Sequence, residues 1–118
     1  MSQTDGPAPE YFKGRYLIVG TVDAEPPRLV HDQLRLDVDG DELVVSSCKS
    51  GAGRLRRGTG FEVPNVYEGD IGDWDVFCEF HNDSSNYPVL LCLSQTGARL
   101  TLWSMQDGSA DTLLGCGA

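Results

Sequence analysis

Apolar and polar residues alternate with a period of two along most of this chain, the signature of half-buried β-strands rather than helices. Tyr16 to Val22 is a short run rich in β-formers and predicts a first strand. Asp23 to Pro27 predicts a turn, because its two prolines cannot sit in a paired central strand. Leu34, Leu36 and Val38 then alternate with Arg35, Asp37 and Asp39, and Leu43 and Val45 follow Gly40-Asp41. A two-residue loop at Asp39-Gly40 or at Gly40-Asp41 puts all five apolar residues on one face of a hairpin. Residues 49–60 are Gly-rich and basic and predict a weak edge strand, with pairing resuming at Phe61 to Val63; Pro64 to Gly72 reads as a loop.

The second half alternates more clearly. Trp74, Val76, Cys78 and Phe80 interleave with Asp75, Phe77, Glu79 and His81. After a polar loop, Asn82 to Tyr87, comes a nearly continuous apolar run, Val89 to Leu93. Turns at Thr96-Gly97 and Asp107-Gly108 separate Leu100 and Leu102 from Leu113 and Leu114. Two-residue registers place Phe80 opposite Val89, Cys78 opposite Leu91, Leu93 opposite Leu100, and Leu102 opposite Leu113. Leu91, Leu93, Leu100 and Leu102 then share one dry face of a four-stranded meander. About eight short strands with hairpin turns predict an all-β fold, either a single antiparallel up-and-down barrel or a two-sheet sandwich. The expected organisation is a flexible tether over 1–10 and a single β domain over 11–118.

Composition agrees with many turns between short strands, with Gly at 14 and Pro at 6 in a chain of 118 residues. The length suits one domain with a real core. The net charge of −9 disfavours nucleic acid and anionic membranes as partners, and is compatible with a basic protein partner. No stretch approaches the roughly 20 apolar residues of a membrane-spanning helix. Residues 1–10 resemble the segment after the lipid-bearing cysteine of a bacterial lipoprotein. That reading implies a lipid anchor lost from this chain and a periplasmic or outer-membrane-anchored location. An ordinary cytoplasmic N-terminus is the alternative.

Cys48, Cys78, Cys92 and Cys116 are an even number in a small domain, as two disulfides of an oxidising compartment require. A bridge closing a loop of about 30 residues would contribute about 3–4 kcal/mol. The alternative is four reduced cysteines serving as small core residues or surface thiols. The regular register puts Cys78 inside and Cys92 and Cys116 outside with a strand between them, and lets Cys48 meet Cys78 only if Cys48 turns inward. The pairing therefore stays open.

Candidate chemistry is sparse. Asp37 to Glu42 resembles the start of a calcium loop, but its sixth position is Glu42 and its twelfth is Cys48, so a hairpin turn is the better reading. Glu68, Asp70, Asp73 and Asp75 are weak candidates for a metal site, with a solvated loop as the rival. Cys78 and His81 have a zinc-site spacing, yet in a strand they face opposite ways. His31 and His81 are the only histidines on which an acid–base or nucleophilic set could draw, and neither Ser46-Ser47 nor Ser84-Ser85 sits in a nucleophile elbow. Gly51, Gly53, Gly58 and Gly60 beside Arg54, Arg56 and Arg57 could hold an anion, though no phosphate-loop motif is present. By parity Trp103 lies opposite the inner leucines and could form an exposed ligand-binding patch with Met105 and Arg99.

Leu36-Asp-Val-Asp-Gly-Asp-Glu-Leu43, with Cys48 and a later Cys78, resembles the META domain of bacterial heat-shock-type lipoproteins. So does Ala98-Arg-Leu-Thr-Leu-Trp-Ser-Met-Gln-Asp-Gly108 as a penultimate hairpin, and the likeness spans most of 14–115. It departs at Ser47-Cys48-Lys49, where that family commonly has Gly-Cys-Asn. The resemblance implies a small β-rich envelope domain without known catalytic residues, with Cys48 near Cys78. Phe12-Lys-Gly14-Arg-Tyr16 is also similar to the opening of lipocalin-like barrels. The resulting expectation is a non-enzymatic, cofactor-free binding domain of the bacterial envelope for a protein partner or a small apolar ligand. The alternative is an acidic inhibitor or immunity protein that blocks a basic active site or nucleic-acid groove.

Overall fold

The computed structural model describes residues 8–58, 66–82, 87–105 and 116. A 3₁₀ turn, η1 (Pro9–Phe12), precedes eight strands: β1 (Gly14–Val22), β2 (Arg28–Asp39), β3 (Glu42–Ser47), β4 (Gly53–Arg57), β5 (Val66–Ile71), β6 (Trp74–Asn82), β7 (Pro88–Ser94) and β8 (Ala98–Ser104). Each strand pairs antiparallel with its sequence neighbours, and β1 also pairs with β8, so the sheet closes into an up-and-down barrel. The barrel, not the sandwich, is the architecture. Closure leaves β1 and β8 no free edge where they pair.

The first hairpin has the two-residue loop Gly40-Asp41, since Asp39 pairs with Glu42. Gly40 takes the left-handed φ of 63° that such a loop demands. Leu34, Leu36, Leu43 and Val45 are buried inside, and Val38 packs against them. Residues 53–57 form a strand within the closed sheet rather than at an edge. The expected loop over Pro64 to Gly72 is corrected: Val66–Ile71 is a strand that joins β6 through Gly72-Asp73. Its alternation is masked in sequence because Gly69 occupies an inward position where no side chain reports the face. Phe61 to Val63, Leu113 and Leu114 lie outside the described residues.

The register of β7 is also corrected. Cys78 pairs with Cys92 and Phe80 with Leu90, one residue from the expected pairing. Leu90 and Cys92 are therefore inside with Leu100 and Leu102, while Leu91 and Leu93 face solvent. The cause is the length of the β7–β8 turn. Leu93 pairs with Arg99, so Ser94 and Ala98 flank a loop of Gln95, Thr96 and Gly97 rather than Thr96-Gly97 alone. Gly97 has φ 93°, and the Ser94 hydroxyl accepts from the backbone N–H of Thr96 and Ala98. Adding one loop residue flips every β7 side chain to the other face.

Tyr16, Ile18, Leu55, Tyr67, Ile71, Val76 and Leu90 join the inward residues of the first hairpin in one continuous core. An eight-stranded barrel is just wide enough for side chains to fill. At one mouth Phe12 plugs the interior, edge-on to Tyr67 and Phe80 at ring-centroid distances of 5.2 and 5.1 Å. The Tyr16 hydroxyl donates to the Phe12 carbonyl at 2.8 Å, and burial pushes that phenol far above its ordinary pKa.

Two disulfides staple the barrel. Cys78–Cys92 is a cross-strand bridge inside it, with Cα atoms 4.0 Å apart. Cys48–Cys116 ties the end of β3 to the C-terminal region, with Cα atoms 5.2 Å apart. The pairing implied by the family resemblance, Cys48 near Cys78, is thus replaced. The register shift in β7 is what turns Cys92 inward to meet Cys78.

Candidate functional site

The exterior of the barrel has two unlike walls. On β2 to β5 the outward residues are mostly charged, and many neutralise one another. Arg54 bridges Asp39 and Glu42 at 3.0 Å each, and Arg35 bridges Asp37 at 3.0 Å. The Arg57 guanidinium donates to the Tyr67 hydroxyl at 3.2 Å and lies 5.3 Å from its ring centroid. Arg56 pairs in register with Glu68. The arginine group is thus engaged with its own barrel instead of being gathered around an anion.

The other wall is richer in apolar residues. Reading the register across β6, β7, β8, β1 and β2 gives three outward rows. The first is Phe77, Leu93, Arg99, Thr21 and Leu29; the second Glu79, Leu91, Thr101, Val19 and His31; the third His81, Val89, Trp103, Leu17 and Gln33. Leu93 is 59% exposed, Trp103 45%, Leu91 42% and Phe77 40%. With strands about 4.8 Å apart and rows about 7 Å apart, the wall measures roughly 19 by 14 Å. Within it the exposed apolar residues Phe77, Leu91, Leu93 and Trp103 alternate with polar ones such as Arg99, Glu79 and Thr101. The exposed residues of β7, Leu91 and Leu93, are apolar and Val89, of the same parity, is buried, which explains the continuous run at Val89 to Leu93: this strand is apolar on both faces.

Trp103 and Arg99 lie on this wall, as parity from β8 requires, separated by Thr101. Met105 follows the end of β8, where its backbone N–H donates to the Arg15 carbonyl at 2.8 Å. Phe77 fell on the outward face by alternation, whereas Leu91 and Leu93 were missed as surface residues. The signal that could have found them is the lack of alternation in β7.

The four acidic candidates fall on the β5–β6 hairpin. Asp70 and Asp75 are direct cross-strand neighbours, Glu68 pairs with Phe77, and Asp73 is in the turn. A side-chain hydrogen bond that protonated Asp70 donates to Asp75 raises the Asp70 pKa, with partial desolvation and the Asp75 charge adding to it and Arg56 opposing it. Among the described residues no three His, Cys, Asp or Glu side chains converge as a metal site. His31 and His81 both face outward, and the His81 Nε2 lies 3.4 Å from Glu79. The Ser47 hydroxyl donates to the Gly51 carbonyl at 2.6 Å, and Ser84-Ser85 lie outside the described residues.

At the mouth opposite Phe12 the wall opens. Its notch of about 470 Å³ is lined by Arg28, Leu29, Val30, His31, Asp32, Lys49, Ser50, Asp73 and Trp74. Asp32 is buried and anchors one bank. It accepts from the backbone N–H of Gln33 at 2.7 Å, Lys49 at 2.9 Å and Ser50 at 2.8 Å. Burial alone raises its pKa, but the hydrogen bonds from the Ser50 side chain and these amides win, and the net shift is downward. The arrangement suits recognition: a barrel with a filled interior, exposed apolar side chains on one wall and a polar notch at one mouth. No helix among the described residues is long and apolar enough to cross a membrane, and the two disulfides are compatible with an exported protein. No protein-family model, curated protein or solved structure matches this chain.

Proposed function

We propose that this chain is a non-enzymatic binding domain of the bacterial cell envelope that presents the outer wall of β6, β7, β8 and β1 to a protein partner. The observation that carries the reading is the exposure of Phe77, Leu91, Leu93 and Trp103 together on adjacent strands. Aromatic and aliphatic anchors grouped on a rigid sheet are what the buried centre of a protein interface uses. A side-chain-filled interior favours this surface over a small apolar ligand inside the barrel. The disulfides support export.

The net charge of −9 favours a second reading, an acidic inhibitor that docks on a basic active site. One experiment separates the two. A photo-crosslinking residue is placed at Leu93 on the apolar wall or at Val44 on the charged wall, and the protein is produced with an export signal. The first reading expects a discrete adduct from position 93 that persists in high salt. An adduct confined to position 44 and abolished by salt supports the inhibitor, and no adduct at either position overturns both. Titration of four thiols in the native protein would remove the argument for export.

A further inference from the structure

The two disulfides differ in what encloses them. Cys78 and Cys92 are 0% and 1% exposed and face each other across β6 and β7 inside the closed barrel. A reductant reaches that bond only when the sheet opens. Cys48 stands just past the end of β3 and is half-buried, and Cys116 is exposed. The rate of thiol–disulfide exchange depends on access to the sulfur under attack. Cys116 therefore offers a point of entry that Cys78 and Cys92 do not.

The two bridges also differ in what they support. Among the described pairings neither Cys48 nor Cys116 belongs to a strand ladder. β1 closes on β8 from Val22 with Ala98 to Tyr16 with Ser104, and β3 is paired to β2 through Ser47 and to β4 through Val45. The backbone around Cys48 has anchors of its own. The Cys48 N–H donates to the Gln33 carbonyl at 3.1 Å, and the amides of Lys49 and Ser50 donate to Asp32. Breaking the Cys48–Cys116 bond thus removes no ladder bond and leaves Cys48 in place. Cys78–Cys92, in contrast, joins directly paired residues in the middle of the β6–β7 ladder.

We infer that Cys48–Cys116 is a thiol-exchange site, open in the folded protein to a dithiol oxidoreductase of the Cys-x-x-Cys class, whereas Cys78–Cys92 is closed to it. The reductant's thiolate attacks the Cys116 sulfur. A mixed disulfide forms, and Cys48 leaves as a thiolate that takes a proton from water. The second thiol of the reductant loses its proton and attacks its own sulfur in the mixed disulfide. Cys116 then leaves as a thiolate and is protonated in turn. Two electrons pass from the dithiol to the bridge, so the reductant ends as a disulfide and Cys48 and Cys116 as thiols. The site shares no residue with the exposed apolar set on β6 to β8 and does not depend on it.

The test uses the full, oxidised chain with dithiothreitol as probe, quenched at intervals with iodoacetamide and read by peptide mass spectrometry. Cys48 and Cys116 should be alkylated about 100-fold sooner than Cys78 and Cys92, whose exposure waits for the barrel to open. Urea well below the unfolding midpoint separates the two routes. Reduction of Cys48–Cys116 should change less than about 2-fold per molar urea, and that of Cys78–Cys92 should rise about 5-fold or more, as global opening requires. After the first bridge is reduced, the amide resonances of Ile18, Leu90 and Leu100 should keep their folded positions. A thioredoxin with its second active-site cysteine changed to serine should be trapped as a mixed disulfide on Cys116. The inference is overturned if both bridges are reduced together, or if reduction of Cys48–Cys116 climbs as steeply with urea as that of Cys78–Cys92. Loss of the folded resonances with the first bridge, or a thioredoxin adduct found on Cys78 or Cys92, overturns it equally.

Discussion

Asp32 is the residue on which the open mouth depends. Among the described residues its carboxylate is the acceptor of the backbone amides of Lys49 and Ser50. Asp32→Ala should destabilise the barrel by about 1–3 kcal/mol in urea unfolding, because it leaves those donors unmatched. The native carboxyl is more acidic than an unfolded one. Its contribution is thus complete above the ordinary carboxylate range and is lost as pH falls through the lower native pKa. Asp70 behaves oppositely, because its proton is held by Asp75 across the hairpin. In Asp75→Asn, a carbon-detected titration of Asp70 should shift to lower pH than in the parent. Gly20 is constrained by space: a β-carbon there would collide with the Arg99 carbonyl oxygen where β1 meets β8. Gly20→Val should therefore cost about 1–3 kcal/mol or more, read as a lower urea midpoint.

At the scale of elements, β7 is where the register is decided and where it is easiest to check. Leu90→Ala should cost about 2–5 kcal/mol, because Leu90 is enclosed by the core. Leu91→Ala and Leu93→Ala should change stability by no more than about 0.5 kcal/mol, although all three are leucines of one apolar run. The reverse ranking in urea would restore the two-residue turn and remove the apolar wall. The disulfides differ in the loops they close, with separations of 68 for Cys48–Cys116 and 14 for Cys78–Cys92. In the chain-entropy model, replacing both members by Ala costs about 4 kcal/mol for the longer loop and about 3 kcal/mol for the shorter. Unfolding each double variant without reductant checks that order.

For the whole molecule, the division into a charged wall and an apolar wall exists only because the sheet closes. Strands distant in sequence, β1 and β8, become neighbours, and Val19 joins Leu91 across Thr101. Alternation by itself determined the inward sets of β2, β3, β6 and β8, and with them the all-β class. One face of each strand had to be dry, and polar residues on the other face recorded which. Trp103 was legible as a surface residue for the same reason. The tertiary structure alone decided the face of β7, the strand at Val66–Ile71, the cysteine partners and the notch. A strand apolar on both sides carries no parity signal, and a glycine at an inward position erases one. Disulfide pairing follows register, and register here turned on a single loop residue at Gln95 to Gly97. That β2 runs past the end of its ladder with β3 at Leu34 arises from unequal lengths of paired strands, which backbone pairing sets and no side-chain pattern encodes.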